Sequence, residues 1–516
     1  RTCSIQKCGT ELSGKYVLAI DAGSAGGHCL IFDLEGHVVS SAYREWTYNT
    51  PAEVAPLGKE FDAAEFWDIL CQLTKQAINE ASIASDQIIA VSAGSQRQGV
   101  VFLDKDGHEL YAGPNIDLRA LLEGLSIDSE FGSEIYRITG HRPSLLGAPA
   151  KLRWFKNNRP HVYESIATVL SISDWIMYRL SGERVSEPSS ASEIGLVDIH
   201  ELCWSQRLVE MLELPHGIYP ELASPGSYVG AVTTETAERA SLAPGTPVVM
   251  GGADTQCGLL GMGVKNEGQV GIVAGWSGSI QMVTAQPIID PGGRLWTGCH
   301  VLPQRWVLES NAGESGGAYR WLKGILFDQP DTTADIYALM DELAQEVAPG
   351  AGGVLAFIGP RAMDVGRLTP SLGGFIFPVD PSVGNIERKH LIRAALENLC
   401  FAIKANCAQL EEASQRTIME VSIGGGLARN RSLIQIVSEV LGMPVAWFDM
   451  PQVTSLGIAM CAATGAGIYP GLEQAMEAMR PKPIVVEPDP QRAQQYEQCY
   501  RRWLSTAEWL ENLSGV

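Results

Sequence analysis

Glycine clusters placed directly after apolar, strand-like runs are the feature that most constrains what this chain can fold into. Residues 16–20 (YVLAI) lead into Asp21 and Gly23, and residues 247–251 lead into Asp254 among small residues. Glycine permits sharp turns and lets the backbone approach a ligand closely, and successive backbone amides in such a turn bind anions. The pattern indicates a protein whose strands end at a phosphate site.

Strand-like and helix-like segments alternate along the chain. Residues 66–81 carry apolar side chains at helical spacing and residues 87–92 form an apolar run. In the second half, residues 269–273 and 418–423 read as strands and residues 431–441 as a helix stopped by glycine. This alternation predicts the α/β class.

Both halves contain a strand, a glycine turn and a second strand, although they share too little sequence to establish a duplication. The chain has 516 residues, of which 45% are hydrophobic and 19% charged. This length predicts two or more globular domains. We place the boundary near residue 260, with residues 201–245 and 261–268 as the connecting zone.

Charge and cysteine usage narrow the class of partner. The net charge of −21 disfavours nucleic acid and anionic lipid. Without a long apolar run, the chain is expected to be soluble and cytoplasmic.

The eleven cysteines are scattered, and Cys400 and Cys461 lie in apolar stretches typical of reduced core thiols. Cys3 and Cys8 lack the further ligands of a zinc site.

Three strand ends carry residues with possible chemistry. Asp21 could hold a magnesium ion through water, or could belong to an ordinary turn. Asp254 could accept a proton from an attacking hydroxyl, or could be a helix N-cap. Gly424, Gly425 and Gly426 join a strand to a helix, where a nucleotide could lie against the backbone; a tight turn is the alternative.

The order of the motifs is more specific than any one of them. Asp-Ala-Gly-Ser occurs at 21–24, Ser-Gln-Arg-Gln at 95–98, Asp-Leu-Arg at 117–119, Gly-Gly-Ala-Asp at 251–254 and Gly-Gly-Gly at 424–426. Further matching stretches lie at 173–183, 188–204 and 454–467. Together they resemble the FGGY carbohydrate kinases over residues 16–469, and look nearest to the xylulokinase and autoinducer-2 kinase branches.

The resemblance implies an α/β fold of two actin-like, ribonuclease-H-like domains flanking a central cleft. An N-terminal extension would occupy 1–15, a sugar-binding domain 16–260, and a nucleotide-binding domain with C-terminal helices 261–516. The implied activity is transfer of the γ-phosphate of ATP, with Mg²⁺, to a hydroxyl of a small ketose, first a pentulose such as xylulose. The alternatives are an autoinducer-2 kinase, or a sugar- or nucleotide-binding protein with degraded kinase activity. A homodimer is possible.

By the same resemblance, site residues fall into four groups. Asp254 would be the general base and Asp21 the magnesium residue. Sugar hydroxyls would be bound by Gln96, Arg97, Asp117 and Asp254. The phosphates and the adenine of ATP would be bound by a fourth group, which consists of Gly23, Ser24, Gly275, Ser277, Gly278, Gly425, Gly426 and Asn430.

The chain departs from the family pattern in both phosphate loops. Where relatives place threonine, a second hydroxyl residue and then Arg or Lys, this chain has Ser24, Gly26 and His28. A histidine of ordinary pKa, ~6.5, is mostly neutral at pH 7. The second loop has Trp276 in place of threonine, which could fill space or stack on a ligand. Gln98 stands where glycerol-phosphorylating relatives have Glu, which counts against a triol.

Overall fold

The computed structural model describes residues 14–327, 335–367, 372–380 and 384–514. The chain divides into two compact units. Unit 1 comprises Arg1–Gly263, Gly298–Arg305 and Thr454–Pro481, and unit 2 comprises Val264–Thr297, Trp306–Val453 and Lys482–Val516. Unit 1 therefore takes in two segments beyond the boundary near residue 260 that the sequence suggested. Cys3 and Cys8 lie outside the described residues.

The strands are numbered in chain order. They are β1 Tyr16–Ala22, β2 Gly26–Phe32, β3 Val38–Glu45, β4 Ile88–Ser95, β5 Val100–Leu103, β6 Glu109–Gly113, β7 Thr168–Ser171, β8 Val185–Ser186, β9 Val197–Asp198, β10 Cys203–Trp204, β11 Glu221–Leu222, β12 Tyr228–Ala231, β13 Pro247–Ala253, β14 Gln269–Ala274, β15 Ser277–Thr284, β16 Trp296–Cys299, β17 Trp306–Glu314, β18 Leu355–Phe357, β19 Gly374–Ile376, β20 Glu420–Gly424, β21 Val445–Trp447 and β22 Ile484–Val486.

The helices follow the same order. They are α1 Ala63–Ala81, α2 Leu121–Thr139, α3 Ala148–Asn158, α4 Pro160–Ser165, α5 Ile172–Ser181, α6 Pro188–Glu193, α7 Gln206–Met211, α8 Thr234–Ala240, α9 Asp254–Met262, α10 Ser315–Leu326, α11 Ile336–Gln345, α12 Arg388–Ser414, α13 Arg431–Leu441, α14 Val453–Gly465, α15 Leu472–Met479 and α16 Pro490–Ser514.

The main sheet of unit 1 has the strand order β12-β13-β4-β1-β2-β3. Strands β13, β4 and β1 run parallel, whereas β2 and β3 continue as antiparallel hairpins. The central strands are apolar almost throughout because both faces are covered; Leu18, Val91 and Val248 are fully buried. Helix α1 covers one face, and Asp62 caps it by accepting a hydrogen bond from the Glu65 amide.

The main sheet of unit 2 has the order β16-β17-β15-β14-β20-β21-β22. Strands β14, β20 and β21 run parallel, and β15 and β17 extend the sheet by antiparallel pairing. An antiparallel strand borders the parallel set in each unit, β12 in unit 1 and β22 in unit 2. Apart from the additional edge strand β16, the two sheets thus share one topology, and this supports, at the level of fold, the repeat that sequence identity alone did not establish.

Several expected elements are present, and one expected region differs. The predicted helix at 431–441 is α13, with Gly442 in the left-handed conformation after it. The region 201–245, expected to be a connection, instead contains α7, α8 and three short strands, because its polar helices have too few apolar residues to show periodicity. Cys400 and Cys461 are buried and free, as expected. No helix in the described ranges is long and apolar enough to cross a membrane.

Candidate active site

Three parallel strands of unit 1 end at one edge of the sheet. Ala22 of β1 lies beside Ser95 of β4, and Ser95 lies beside Ala253 of β13. Asp21 and Asp254 therefore stand at the ends of two strands that flank β4; the sequence pattern predicted that each aspartate ends a strand, but not that the two strands share a neighbour.

Close packing behind this edge requires glycine. A Cβ built at Gly251 would lie 1.9 Å from the Ala93 carbonyl oxygen. A Cβ at Gly94 would lie 2.7 Å from the Ile458 side chain and 2.9 Å from the Gly252 oxygen. Glycine at these positions lets the strands and α14 approach to distances that a side chain would prevent.

The Asp21 carboxylate is partly buried and accepts a hydrogen bond from the Ser455 hydroxyl at 3.3 Å. Burial and the negative charge of Asp254 raise the pKa of Asp21 from 3.8 to about 7, although the serine opposes them. Two carboxylates that interact this strongly favour a cation between or beside them. Carboxylate oxygens are the ligands that Mg²⁺ prefers, so the residues present fit the ion that the resemblance implies.

Asp254 is the first residue of α9, and its Oδ1 accepts a hydrogen bond from the Thr255 amide at 2.7 Å. The N-cap of α9 is Ala253, so the N-cap alternative for Asp254 is wrong. The Ala253 amide donates to the Ser189 hydroxyl at 3.0 Å, which holds the strand end against α6. Asp254 keeps a partly exposed carboxylate at the end of a rigid strand.

Gln96 lies in a hydrogen-bonded network around the turn between β1 and β2. Its amide nitrogen donates to the Tyr48 hydroxyl at 2.9 Å, and its oxygen accepts from the Asn115 amide at 3.0 Å. Tyr48 donates to the Ser24 carbonyl, and the Asn115 side chain donates to the Ser24 hydroxyl. Gly23 and Ser24 are thus held in place by Gln96, which is itself buried.

Arg97 follows Gln96 and is itself followed by Gln98, a non-glycine residue with a φ of 64°. The Arg97 guanidinium lies 3.2 Å from the Glu193 carboxylate. The other carboxylate oxygen of Glu193 lies 3.3 Å from Nε2 of His141. Left-handed backbone at a non-glycine residue is uncommon and concentrates at functional sites.

Asp117 is fully buried, and both of its oxygens are used internally. Oδ2 accepts from the Tyr111 hydroxyl at 2.5 Å and from Arg119 Nε at 2.7 Å, while Oδ1 accepts from the Lys59 amide at 2.7 Å. The Arg119 guanidinium also lies over the Tyr111 ring. These bonds leave the carboxylate little capacity to accept from a sugar hydroxyl, and direct contact of Asp117 with a sugar stays a prediction.

His28 lies within β2 and packs against Tyr43 of β3, with ring centroids 4.5 Å apart. Burial lowers the pKa of His28 below its ordinary 6.5. The imidazole is therefore uncharged at neutral pH, and the position where relatives carry a permanent cation holds none in this chain.

The second phosphate turn, in unit 2, is shorter than expected. Only Gly275 and Trp276 lie between β14 and β15, so Ser277 and Gly278 belong to a strand. The Trp276 carbonyl accepts from the amides of Ser315 and Gly317 at the start of α10. Its indole is 47% exposed and lines a cavity of about 780 Å³. The turn therefore has open space beside it on the tryptophan side.

The third glycine turn, also in unit 2, follows β20. Gly425 has a φ of 107°, and a Cβ there would lie 2.8 Å from the Ala274 carbonyl oxygen. At Gly426, by contrast, no described heavy atom lies within 4 Å of a built Cβ. Asn430 caps α13, because its Oδ1 accepts from the Leu433 amide at 2.8 Å. Gly426 thus offers bare backbone beside empty space, as a nucleotide cradle requires.

The sequence reasoning did not single out Tyr48, Asn115, His141 or Glu193. The signal for Glu193 was present, since it is a charged residue between the small residues 189–192 and the apolar residues 194–197. A buried charge in such a position needs a partner. The partner, however, lies far away in sequence.

The duplicated sheet, the strand-end carboxylates of unit 1 and the glycine turns of unit 2 define an actin-like phosphotransferase. The chain belongs to the FGGY family of carbohydrate kinases: the N-terminal domain of that family matches residues 16–261 and the C-terminal domain matches residues 270–466. It is accordingly an ATP-dependent sugar kinase with an alcohol group as phosphate acceptor.

Individual relatives extend over nearly the whole chain. It is 31% identical over 508 residues to autoinducer-2 kinase from Salmonella typhimurium, covering 96% of this chain and 94% of that protein. The crystal structure of xylulose kinase from Rhodospirillum rubrum has a TM-score of 0.83 at 27% identity, covering 97% of this chain and 100% of that one. The crystal structure of gluconate kinase from Lactobacillus acidophilus has a TM-score of 0.84 at 20% identity, covering 97% of this chain and 99% of that one, which shows a shared fold.

Proposed function

We propose that this kinase phosphorylates a hydroxyl of autoinducer-2 or of a small polyhydroxylated ketone very similar to it. The observation that carries the proposal is the 31% identity, over 508 residues, to an autoinducer-2 kinase. The likeness to xylulose kinase is lower, at 27% identity. Our first expectation, a pentulose such as xylulose, therefore becomes the second choice of acceptor.

Asp254 is proposed to accept the proton of the attacking hydroxyl. A general base must keep an accessible, ionised carboxylate within hydrogen-bond reach of the hydroxyl, and Asp254 stands partly exposed at the end of β13. The acceptor oxygen then forms a bond to the γ-phosphorus, the bond from that phosphorus to the bridging oxygen breaks, and ADP leaves with the electron pair.

Asp21, by our proposal, would hold Mg²⁺. The ion would supply positive charge against the phosphate oxygens of ATP. The chain's own contribution is a carboxylate fixed by Ser455 at a strand end. Gly23 and Ser24, held by the network around Gln96, would offer backbone amides to phosphate.

In unit 2, Gly425, Gly426 and Asn430 are proposed to line the adenine side, and Gly275 with Ser277 and Gly278 the phosphates. Gly426 has the space for this role and Asn430 fixes the start of the next helix. On the acceptor side, Gln96 and Arg97 are proposed to bind hydroxyls. We propose a positioning role for Asp117, because Tyr111 and Arg119 occupy its Oδ2 and the Lys59 amide occupies its Oδ1.

An ADP-release assay tests this proposal. The purified chain is assayed with ATP and Mg²⁺ against autoinducer-2, xylulose, gluconate and glycerol, with Asp254→Asn as the inactive reference. We expect the highest kcat/KM with autoinducer-2. A higher value with xylulose would assign the chain to pentulose phosphorylation.

A second candidate is a sugar- or nucleotide-binding protein with weak turnover. It is favoured by one observation, the uncharged His28 at the position of a permanent cation in relatives. ADP release at the level of Asp254→Asn with every acceptor, together with measurable binding of one of them, would establish this candidate.

We place the ATP-consuming enzyme in the cytoplasm, and a homodimer stays a prediction.

A further inference from the structure

We propose that Glu193 is a positioning residue for acceptor recognition: it fixes Arg97 and Gln256 at the acceptor side, and His141 fixes Glu193 in turn. The inference rests on the proposed function, because it concerns the same acceptor site. It adds two residues, Glu193 and His141, as determinants of acceptor affinity.

Glu193 connects two elements of unit 1 that carry proposed site residues. Its Oε1 lies 3.2 Å from the Arg97 guanidinium, beyond β4, and 3.5 Å from the side-chain nitrogen of Gln256 on α9. Gln256 stands two residues after Asp254 on the same helix. One carboxylate oxygen therefore sets the position of the proposed sugar-binding arginine and contacts the helix that begins with the proposed base.

His141 contacts Glu193 from the opposite side. Its Nδ1 lies 2.9 Å from the Thr139 carbonyl oxygen, so Nδ1 carries a hydrogen and donates. Nε2 then faces Oε2 of Glu193 at 3.3 Å. Gly298 packs against the pair: a Cβ built there would be in ordinary van der Waals contact, at 3.5 Å, with both Oε1 of Glu193 and Cε1 of His141.

Burial makes this arrangement a rigid one. The side chains of Glu193 and Arg97 are 1% and 10% exposed. Burial alone would raise the pKa of Glu193, but Arg97 and His141 together hold it well below its usual range. The carboxylate is thus ionised at neutral pH. Without it, Arg97 and a protonated His141 would be two cations facing each other with no anion between them.

Glu193 and Arg97 are charged groups that act on the His141 imidazole. Burial lowers the pKa of His141, and so does Arg97, but the charge of Glu193 and the hydrogen bonds to Glu193 and to the Thr139 carbonyl together raise it above the ordinary 6.5. As pH rises through this raised pKa, His141 loses its proton and its attraction to the Glu193 carboxylate weakens. Acceptor affinity should then fall while ATP affinity stays constant.

The first test compares Glu193→Gln with Glu109→Gln. Glu109 is a matched control in the same unit, because it also pairs with an arginine, Arg179, at 2.7 Å. We expect Glu193→Gln to raise KM for autoinducer-2 about 10- to 100-fold with KM for ATP within about 2-fold, as loss of an acceptor-side interaction requires. The control should leave both KM values unchanged. Equal increases in both KM values for Glu193→Gln would overturn the proposal.

A second pair of variants serves if Glu193→Gln does not fold. His141→Gln retains a donor toward Glu193, whereas His141→Phe removes it. We expect His141→Phe to raise the acceptor KM and His141→Gln to restore most of the affinity. Both variants should also lose the rise in acceptor KM between pH 6 and pH 8.5. Wild-type KM values and a wild-type pH profile in His141→Phe would show that the pair is only structural.

Direct binding of autoinducer-2 and xylulose, measured by calorimetry without ATP, separates two kinds of failure. If the unaltered chain binds neither sugar and phosphorylates none, both the proposed function and this inference are wrong. If it binds and phosphorylates one of them, and Glu193→Gln binds it equally well, only the inference is wrong.

Discussion

Asp21 and Asp254 stand at the ends of two strands that flank the same strand, β4, and the charge of Asp254 raises the pKa of Asp21. A fold does not gain stability from placing two carboxylates near each other in partly buried positions. The arrangement instead suits two different tasks: by our proposal, Asp21 holds a cation and Asp254 accepts a proton.

Asp254→Asn should abolish most turnover while leaving the fold intact. Loss of a general base lowers kcat by about 10² to 10⁴, whereas the amide retains an oxygen that can accept from the Thr255 amide. Initial rates of ADP release and calorimetry with ADP are the measurements. Asp198→Asn is the matched control, because Asp198 also ends a strand, β9, and its Oδ1 accepts from the His200 amide. Unchanged kcat in Asp254→Asn would remove Asp254 from the mechanism.

Asp21→Asn should stabilise the ligand-free protein at pH 8 and inactivate it. The pKa of Asp21 is about 7 in the folded protein, against 3.8 for an unperturbed aspartate, so ionising the group destabilises the fold. This loss of stability begins above pH 3.8 and is complete above pH 7. Thermal unfolding without Mg²⁺ should show a Tm increase of about 2 to 4 °C per kcal/mol regained. The difference from wild type should shrink at pH 5. A lower Tm at pH 8 would contradict this account.

Gly426→Ala should raise KM for ATP without changing stability. No described atom lies within 4 Å of the new methyl group, and no left-handed φ disfavours alanine there, so we expect the methyl group to obstruct a bound nucleotide rather than the fold. We expect about a 10-fold increase in KM for ATP, equivalent to about 1.4 kcal/mol.

The contrast with Gly426→Ala is Gly425→Ala, in which the methyl group would meet the Ala274 oxygen at 2.8 Å and should lower Tm. Wild-type KM for ATP in Gly426→Ala, with its Tm unchanged, would place the nucleotide elsewhere.

His28→Phe should leave the pH dependence of kcat unchanged between pH 7 and pH 9. Because burial lowers the pKa of His28 below 6.5, the imidazole stays neutral throughout this range and titrates only at lower pH. His28→Arg, which restores the cation found in relatives, should instead raise kcat if it is accommodated beside Tyr43. Loss of an alkaline limb above pH 7 in His28→Phe would show that His28 titrates during catalysis.

Much of the fold followed from local patterns. The apolar runs before Asp21 and Asp254 are β1 and β13, and the alternation of strands and helices gave the α/β class. Such features depend on neighbouring residues, and they are visible in a short window of sequence.

What could not be predicted depends on contacts distant in sequence. Arg97 and Glu193 are 96 positions apart, and no periodic pattern joins them. The burial of Asp117 likewise depends on Tyr111, Arg119 and the Lys59 amide closing around it. In the second phosphate loop, the glycines suggested a turn longer than the two residues observed. The turn is short because pairing with β17 extends β15 back to Ser277.

The discontinuity of unit 1 has a consequence for its synthesis. Residues 454–481 complete this unit: a Cβ at Gly36 would lie 2.1 Å from the Met479 oxygen, and the Tyr469 hydroxyl bonds the Leu34 carbonyl. During synthesis, therefore, the segment that ends at Gly263 emerges from the ribosome before the helices that cover it. Unit 1 cannot reach its final packing until residue 481 has been translated, and until then the apolar surface that α14 and α15 cover has no partner from this segment.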